Sequence, residues 1–346
     1  MRNKYYPYQS LLAFFFICLF NWNLSAQDKI SSSDWEKDLR FLQNTVHKDY
    51  SFLFKKTTAE QFDEKVEELS KAIPEMAEHE IVAGLVRIVS SFEYGHTAIH
   101  FRGGPIKYHQ LPFNLYRFSD GVFIEGIHKD YKKALGAKVL KVEGVPIEEA
   151  LVAIRPIVPA ENDQFFKGYG LSYLGITEIL HAQGVTKKLK NEVTFTLERE
   201  GKTFEQTITA VEPQHPPVHY GFSNPEGDWL SVRDQSQTPY YLKNLDKIYY
   251  YEYLPESKTV YVRYSQIQHD DSEDIPTFFN RVFDFIEKNE VEKLVLDVRL
   301  NGGGNNFNNK HVVTGIIQSE KINLPGKFFV IIGRRTFSAC QNLINE

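Results

Sequence analysis

Apolar residues in the first third of the chain recur every three or four positions, which is the period of an amphipathic helix. Three such stripes occur before residue 92, and short polar connections separate them, so a small helical bundle is predicted. Ser33 and Glu36 form a capping-box pattern at the start of the first stripe. The stripes are Trp35, Leu39, Leu42 and Val46; Phe62, Val66 and Leu69; and Ile81, Leu85, Ile88 and Val89.

Between Gln110 and Val211 the apolar period shortens to two, which predicts short strands. A turn at Glu143–Pro146 leads into a helix that runs through Ile154. Residues 211–229 are rich in proline, glycine and histidine, which is typical of a linker or surface loop with solvated histidines, His215 and His219. The predicted strands cover residues 122–127, 137–142, 193–198 and 204–210.

In the last hundred residues, predicted strands alternate with predicted helices, an order typical of parallel βαβ units. Tyr249–Tyr251 precede them, and because no basic residues accompany these rings, we expect a strand that packs them on a core rather than a base-stacking surface. Reactive groups gather at the carboxyl ends of parallel strands. The strands are predicted at 260–267, 294–298 and 328–332, and the helices at 274–289, 307–317 and from Ser338 onward.

The N-terminus and the composition limit the classes of protein to consider. The first 26 residues have a basic start, an apolar run and small residues before Gln27, as a cleavable export signal does, although an uncleaved anchor helix is the alternative. Removing them would leave Cys340 as the single cysteine, so no intramolecular disulfide is expected. A length of 346 residues predicts two or three domains. A net charge of -5 argues against a nucleic-acid partner.

Two turns follow buried strands near the end of the sequence, one at Gly302–Gly304 and one at Ser338. A serine hydroxyl becomes a nucleophile when a base takes its proton. Helix-start amides and glycine amides suit an oxyanion. From the residues alone, however, a serine at such a junction is more often a helix N-cap. His96 is a possible base, although a histidine in a turn is usually structural.

Other motifs are missing or incomplete. His96 and His100 stand four apart, but no glutamate occupies the second position of a zinc-binding helix motif. The glycine tract lacks the GK[ST] of a phosphate loop. Ser338 does not lie in a GxSxG elbow, which argues against an α/β-hydrolase. We expect no metal and no organic cofactor.

Several segments resemble one known family. LVLDVRLNGGG and RRTFSAC resemble the glycine element and the nucleophile turn of the C-terminal processing (tail-specific) peptidases and the related tricorn-core proteases. EYGHTAIH resembles their aspartate–glycine–histidine–threonine segment, with Tyr94 where aspartate is usual. KVLKVEGVPIEEAL and LEREGKTFEQTIT resemble parts of a PDZ domain, although its glycine-rich docking loop is not evident and residues 155–190 look like an insertion. A β-rich spacer without a ligand is the alternative for this module.

The resemblance implies a multidomain α+β protein with a ClpP/crotonase-like core. Its parts would be a signal peptide (1–26), a helical domain (27–109), a PDZ-like domain with a helical insertion (110–212), and a linker with a partial α/β catalytic core (213–346). Ser338 would be the nucleophile and His96 the general base. The backbone amides of Ala339 and of Gly303 or Gly304 would form the oxyanion hole. Asp297 and Arg299 would hold the glycine turn, and Cys340 would be a small core residue.

The implied function is that of an exported serine endopeptidase, in the periplasm, the cell envelope or the extracellular space, that cuts polypeptides through an acyl-enzyme. The family places further catalytic groups after the serine, whereas this sequence ends eight residues later, so we expect a fragment, because a truncated sheet would expose an apolar face and an unpaired edge. Two alternatives remain: a catalytically inactive protein that binds an apolar ligand or a peptide on the same fold, and a hydrolase of small esters or amides.

Overall fold

The computed structural model describes residues 30–101, 106–211, 217–233 and 235–346. The predicted signal peptide and His215 lie outside these ranges. Among the described residues, no helix is long and apolar enough to cross a membrane.

Three helices form the first region, and their apolar stripes are those predicted. Leu39, Phe62 and Val66 are fully buried between them. The predicted capping box at Ser33 is wrong, because the N-cap lies two residues earlier, at Ser31, whose Oγ accepts from the Asp34 amide at 3.1 Å. The helices are α1 Ser32–Asp49, α2 Ala59–Ala72 and α3 Glu78–Ser90.

A mainly antiparallel sheet with its helices forms the middle region. Its strands up to residue 209 are β1 Phe113–Phe118, β2 Gly121–His128, β3 Lys138–Val142, β4 Val145–Pro146, β5 Glu192–Arg199 and β6 Lys202–Thr209. They lie in the order β1-β2-β3-β5-β6, with β4 beside β3. Three helices accompany the sheet: α4 Ile147–Ile154, α5 Asp163–Tyr169 and α6 Thr177–Ala182. The helices α5 and α6 occupy the segment predicted as an insertion.

The segment predicted as a linker contains short strands where it is described: β7 Val218–His219, β8 Phe222–Ser223 and β9 Trp229–Ser231. The strand β9 pairs with β2, so chain beyond residue 212 completes the middle sheet. The expected solvation of His219 is wrong. Its ring is half-buried, and Nδ1 lies 3.0 Å from the carbonyl oxygen of Leu245.

A second sheet, in the order β10-β11-β12-β13, forms the last region. Because β11, β12 and β13 run parallel, the predicted βαβ arrangement is confirmed. Tyr249 and Tyr250 are buried, which confirms that this strand packs rings on a core. The strands are β10 Tyr249–Leu254, β11 Thr259–Tyr264, β12 Lys293–Asp297 and β13 Phe328–Ile331, and the helices are α7 Ile275–Lys288, α8 Asn309–Gln318 and α9 Ala339–Asn345.

Candidate active site

Ser338 lies on a strained turn between the end of β13 and the start of α9. Its backbone angles are φ 55° and ψ -129°, a combination that residues other than glycine rarely adopt. Although Ser338 occupies the N-cap position of α9, its hydroxyl makes no capping hydrogen bond. The hydroxyl is therefore available to a partner outside its own helix.

The turn that carries Ser338 is fastened to the chain that follows β12. Thr336 Oγ1 donates to the Val298 carbonyl and accepts from the Gly333 amide, each at 2.9 Å. The Phe337 amide donates to the Asn301 carbonyl at 3.0 Å. These bonds lie next to the nucleophile candidate on its N-terminal side and fix the path of the backbone there.

Asn301 joins this turn to the glycine turn and was not identified from the sequence. Its side chain is fully buried, Nδ2 donates to the Tyr264 carbonyl at 3.0 Å, and Oδ1 accepts from the Gly303 amide at 2.8 Å. Asparagine suits this position because one side chain satisfies a buried acceptor and a buried donor. The residue stands inside the quoted glycine motif, but the motif alone does not indicate this role.

Gly303 packs directly against Ser338. A Cβ atom on Gly303 would lie 2.6 Å from Ser338 Cβ and 2.8 Å from the Phe337 carbonyl oxygen, and its φ is +100°. Gly304 has φ +144°, and a Cβ there would lie 2.2 Å from the Ile267 carbonyl oxygen. Glycine is therefore required at both positions, by backbone conformation and by space.

The amides near Ser338 differ in their availability. The Gly303 amide is already bonded to Asn301 Oδ1. Among the described residues, no acceptor is bonded to the amide of Gly304 or of Ala339. Of the glycines expected to donate to an oxyanion, only Gly304 has its amide free of such a bond in this conformation.

His96 reaches Ser338 from a distant part of the sequence. Its Nε2 lies 2.9 Å from Ser338 Oγ, a hydrogen bond between residues 242 positions apart. The imidazole stacks on the Phe337 ring at 4.5 Å between centroids, and the Tyr94 ring lies 5.6 Å away. A histidine nitrogen at this distance is in reach of the serine proton.

The segment around His96 lies outside the helices and strands, since α3 ends at Ser90. The Thr97 amide donates to the Tyr94 carbonyl at 2.8 Å and closes a turn around Gly95 and His96, in agreement with the turn expected here. Gly95 allows close approach, because a Cβ there would lie 2.6 Å from the Phe165 ring and 2.8 Å from the Phe337 ring. The Gly95 amide donates to Glu161 Oε1 at 2.9 Å.

No residue within the described ranges completes a catalytic triad with Ser338 and His96. None of the described residues is hydrogen-bonded to His96 Nδ1, the atom that an orienting carboxylate contacts in a catalytic triad. Tyr94 stands where the resembling family usually has aspartate, and its ring is partly exposed. His100 has no hydrogen bond to Ser338 or His96 and instead lines the neighbouring cleft.

The helix α5 supports the serine turn from the other side. The Tyr169 hydroxyl donates to the Arg335 carbonyl at 3.1 Å, while Arg335 Nη1 donates to the Gly168 carbonyl at 2.8 Å. The guanidinium also lies 4.4 Å from the centre of the Tyr169 ring. Burial raises the pKa of Tyr169 above its ordinary value and lowers that of Arg335. No local pattern pointed to these contacts, since α5 lies in the presumed insertion.

Asp297 and Arg299 were expected to hold the glycine turn. Asp297 is buried, accepts from the Tyr261 hydroxyl at 2.8 Å and pairs with Arg299 through Nε at 2.9 Å, so its bonds among the described residues fix the end of β12 rather than the glycine tract. Burial, followed by the Asp297 charge, raises the pKa of Tyr261. Cys340 is fully buried, and burial raises the pKa of its thiol to about 12, which disfavours the reactive thiolate form.

A cleft of about 1330 Å³ adjoins the pair. Gly95 and Phe337, the chain neighbours of His96 and Ser338, line it together with the glycine tract. His96 and Ser338 are not among the lining residues, so the cleft lies beside them rather than around them. The phenylalanines and tyrosines of the lining are Phe101, Tyr108, Phe165, Tyr169, Tyr173, Tyr220 and Phe337.

Comparisons with known proteins give a likeness in structure only. No protein-family model matches the sequence, and no curated protein matches it. The structure of mature CPAF complexed with lactacystin is similar, with a TM-score of 0.55 and 15% identity over 80% of this chain and 58% of that chain. This chain therefore spans less than two thirds of CPAF, and at this identity the likeness shows the fold alone.

Two other matches are weaker. The photosystem II D1 C-terminal processing protease has a TM-score of 0.34 and 12% identity, over 91% of this chain and 78% of that chain. A putative S41 protease from Bacteroides fragilis has a TM-score of 0.27 and 13% identity, over 70% of this chain and 61% of that chain. TM-scores this low leave the fold comparison resting on CPAF.

Proposed function

We propose that this protein is a serine peptidase in which Ser338 is the nucleophile and His96 the general base. The observation that carries the proposal is the 2.9 Å contact between His96 Nε2 and Ser338 Oγ across 242 residues. The strained backbone at Ser338 supports it, because strain of this kind is concentrated at functional sites. A hydroxyl that served only as a helix N-cap would bond to its own helix, and this one does not.

In the proposed first half-reaction, Ser338 Oγ attacks the carbonyl carbon of the scissile peptide bond and its proton passes to His96 Nε2. The tetrahedral intermediate then collapses, the C–N bond breaks, and the leaving amine takes the proton from His96. An ester between Ser338 and the acyl part of the substrate remains. In the second half-reaction a water attacks this ester, gives its proton to His96, and the proton returns to Ser338 Oγ as the carboxylic acid leaves.

The amides of Ala339 and Gly304 are the proposed oxyanion donors. Both lack an acceptor among the described residues, whereas the Gly303 amide is bonded to Asn301. Gly303 then has a different role, which is to let the two turns approach closely. Preorganised donors of this kind each contribute roughly 10²–10³ in rate.

Polypeptide is the proposed substrate class. The likeness in fold to CPAF, the cleft beside the pair and the resemblance of the two turns to processing peptidases support it. Within the proposal, residues 27–109 supply His96, residues 213–346 supply Ser338, and the PDZ-like part at 110–212 lies between them in sequence. Export through the N-terminal signal belongs to the same proposal. The inactive binding protein is not favoured, because the His96–Ser338 contact is intact.

The test is active-site labelling combined with turnover. We expect a fluorophosphonate to modify the purified protein at Ser338, as located by peptide mass spectrometry, and to leave Ser338→Ala unlabelled. Hydrolysis of an unfolded polypeptide should fall to background in the same variant. Ser257→Ala is the matched control, since this serine lies on the β10–β11 turn and bonds to Thr259 Oγ1.

Two outcomes would overturn the proposal. One is polypeptide hydrolysis that persists in Ser338→Ala, and the other is labelling of a different serine in the native protein. Comparing short esters with unfolded polypeptide decides the substrate class, because rapid ester turnover without polypeptide cleavage would indicate a small-molecule hydrolase.

A further inference from the structure

A cluster of two histidines and one glutamate lies between α3 and α6, away from the cleft. His79 Nε2 is 2.8 Å from His181 Nδ1, and Glu80 Oε1 is 3.9 Å from the same His181 atom. Within the described residues, these three form a group whose potential ligand atoms all lie within 4.8 Å of one another. None of the three lines the cleft beside Ser338.

These distances are close to those of a metal site. Zinc binds imidazole nitrogen and carboxylate oxygen at about 2.0–2.2 Å, which in a tetrahedral site separates neighbouring ligand atoms by roughly 3.3 Å. The two nitrogens are closer than this because they are hydrogen-bonded to each other, and the carboxylate oxygen is somewhat farther away. Coordination would require the two nitrogens to move apart by about 0.5 Å and the carboxylate oxygen to approach His181 Nδ1 by about 0.6 Å, within a group whose ligand atoms all lie within 4.8 Å of one another.

We propose that His79 Nε2, His181 Nδ1 and Glu80 Oε1 bind one zinc-class divalent cation. Two neutral imidazoles with one carboxylate suit a borderline cation, and a water would complete four-coordination. The His79–His181 hydrogen bond is then the metal-free form of the site. This inference concerns a different part of the molecule from the proposed peptidase pair and does not depend on it.

The surroundings of the cluster hold its members in place. Glu80 Oε2 accepts from the Ala77 amide at 2.8 Å, which anchors the carboxylate and leaves Oε1 for the cation. His79 is buried. His181 and Glu80 retain partial exposure, so a cation has access from solvent.

A cation here would join the two helices that hold the ends of the segment containing His96. The helix α3 ends at Ser90, just before that segment. On α6, Glu178 accepts from the backbone amide of His109, at the far end of the segment, at 3.0 Å. We therefore expect the cation to stabilise the packing of α3 against α6. Sequence spacing gave no signal, since His79 and His181 are 102 positions apart.

Calorimetric titration of the untagged full chain with ZnCl2, after stripping with chelator, tests the proposal. We expect one saturable equivalent in the unmodified protein and at least tenfold weaker binding in His181→Ala. Glu80→Gln is the more discriminating variant, because the glutamine oxygen can still accept from the Ala77 amide while the anionic ligand is lost. It should also weaken binding at least tenfold.

His47→Ala is the matched control, since this histidine also contacts a carboxylate, Asp63, at 2.8 Å but belongs to no group of three potential ligands among the described residues. Zinc binding should be unchanged in His47→Ala and in Ser338→Ala, which separates this inference from the peptidase proposal. If His181→Ala fails to fold, Glu80→Gln decides. Absence of a saturable equivalent, or unchanged binding in folded Glu80→Gln, would overturn the proposed site.

Discussion

The two members of the proposed catalytic pair are held in different ways. Ser338 sits on a turn whose neighbours bond to the chain after β12 and to α5, and the fully buried Asn301 links that turn to the glycine turn. His96 lies on a turn closed by the bond from the Thr97 amide to the Tyr94 carbonyl, and beyond that turn it depends on the Phe337 ring and on the bond from the Gly95 amide to Glu161. The nucleophile is therefore positioned by a dense network of hydrogen bonds, and the base by fewer contacts, of which those to Phe337 and Glu161 come from regions distant in sequence.

Replacing His96 should have the largest effect on activity, because it removes the proposed general base. We expect His96→Ala to lower kcat/KM for polypeptide by roughly 10²–10⁴, the usual contribution of a general base. Stability should change by no more than about 0.5 kcal/mol, because the ring makes few contacts beyond Ser338 and the two aromatic rings. Steady-state kinetics and urea unfolding measure the two quantities.

His128→Ala is the control for this variant, since His128 lies on β2 and its ring contacts Trp229. It should retain full turnover. A His96→Ala enzyme with unchanged kcat/KM would mean that another group activates Ser338. The way His96 is held would then have no bearing on activity.

Gly303→Ala tests how tightly the glycine turn packs against the turn that carries Ser338. The added methyl would meet Ser338 Cβ at 2.6 Å and the Phe337 carbonyl oxygen at 2.8 Å, with φ at +100°. We expect a loss of about 2–4 kcal/mol in the free energy of unfolding, from backbone strain plus overpacking. Equilibrium urea unfolding provides the measurement.

Gly326→Ala separates the two causes of that loss. Gly326 also has a positive φ, +78°, but a Cβ there would meet nothing within 4 Å. The strain alone should cost about 1–2 kcal/mol. Equal losses in the two variants would show that the contact between Gly303 and Ser338 is loose, contrary to the close packing described above.

Ser338→Gly and Ser338→Ala form a smaller and more specific test of backbone strain. Both variants lack the hydroxyl and should be inactive, but only glycine adopts φ 55° and ψ -129° without strain. After allowing for the greater freedom of glycine in the unfolded chain, we expect Ser338→Gly to be more stable than Ser338→Ala by about 1 kcal/mol. Thermal unfolding of the pair measures this difference, and a less stable glycine variant would contradict the strain.

Features that depend on residues close together in the sequence could be predicted. The parallel strands β11 to β13 and the position of Ser338 at a strand-to-helix junction were predictable, because apolar runs and glycine turns are local signals. The buried tyrosines of β10 were predictable for the same reason. The position of Ser33 in a capping box was wrong, because residues 31–33 are all serine and the sequence pattern does not say which of them is the N-cap of α1.

Long-range contacts could not be predicted in this way. From the residues alone His96 resembled a structural histidine in a turn, and the family resemblance, rather than spacing, made it a candidate. The support that α5 gives through Tyr169 and Arg335 had no signal, because these residues are 166 positions apart. Similarly, no spacing pattern links the strand β9 to β2, although the two pair in one sheet.

Glu161→Ala tests how firmly the segment around His96 is held, and it should have the smallest effect of these substitutions. Losing the bond to the Gly95 amide removes about 0.5–1.5 kcal/mol of positioning, so we expect kcat to fall roughly two- to tenfold with KM unchanged. Glu161→Gln keeps an acceptor and should restore kcat, whereas Asp163→Ala, which removes a neighbouring carboxylate that pairs with Arg155, should have no effect.

Hydrogen exchange of the amides at 92–100 should quicken in Glu161→Ala while the amides of α9 keep their protection. Equal loss of protection in both segments would mean that the base and the nucleophile are held by one shared network.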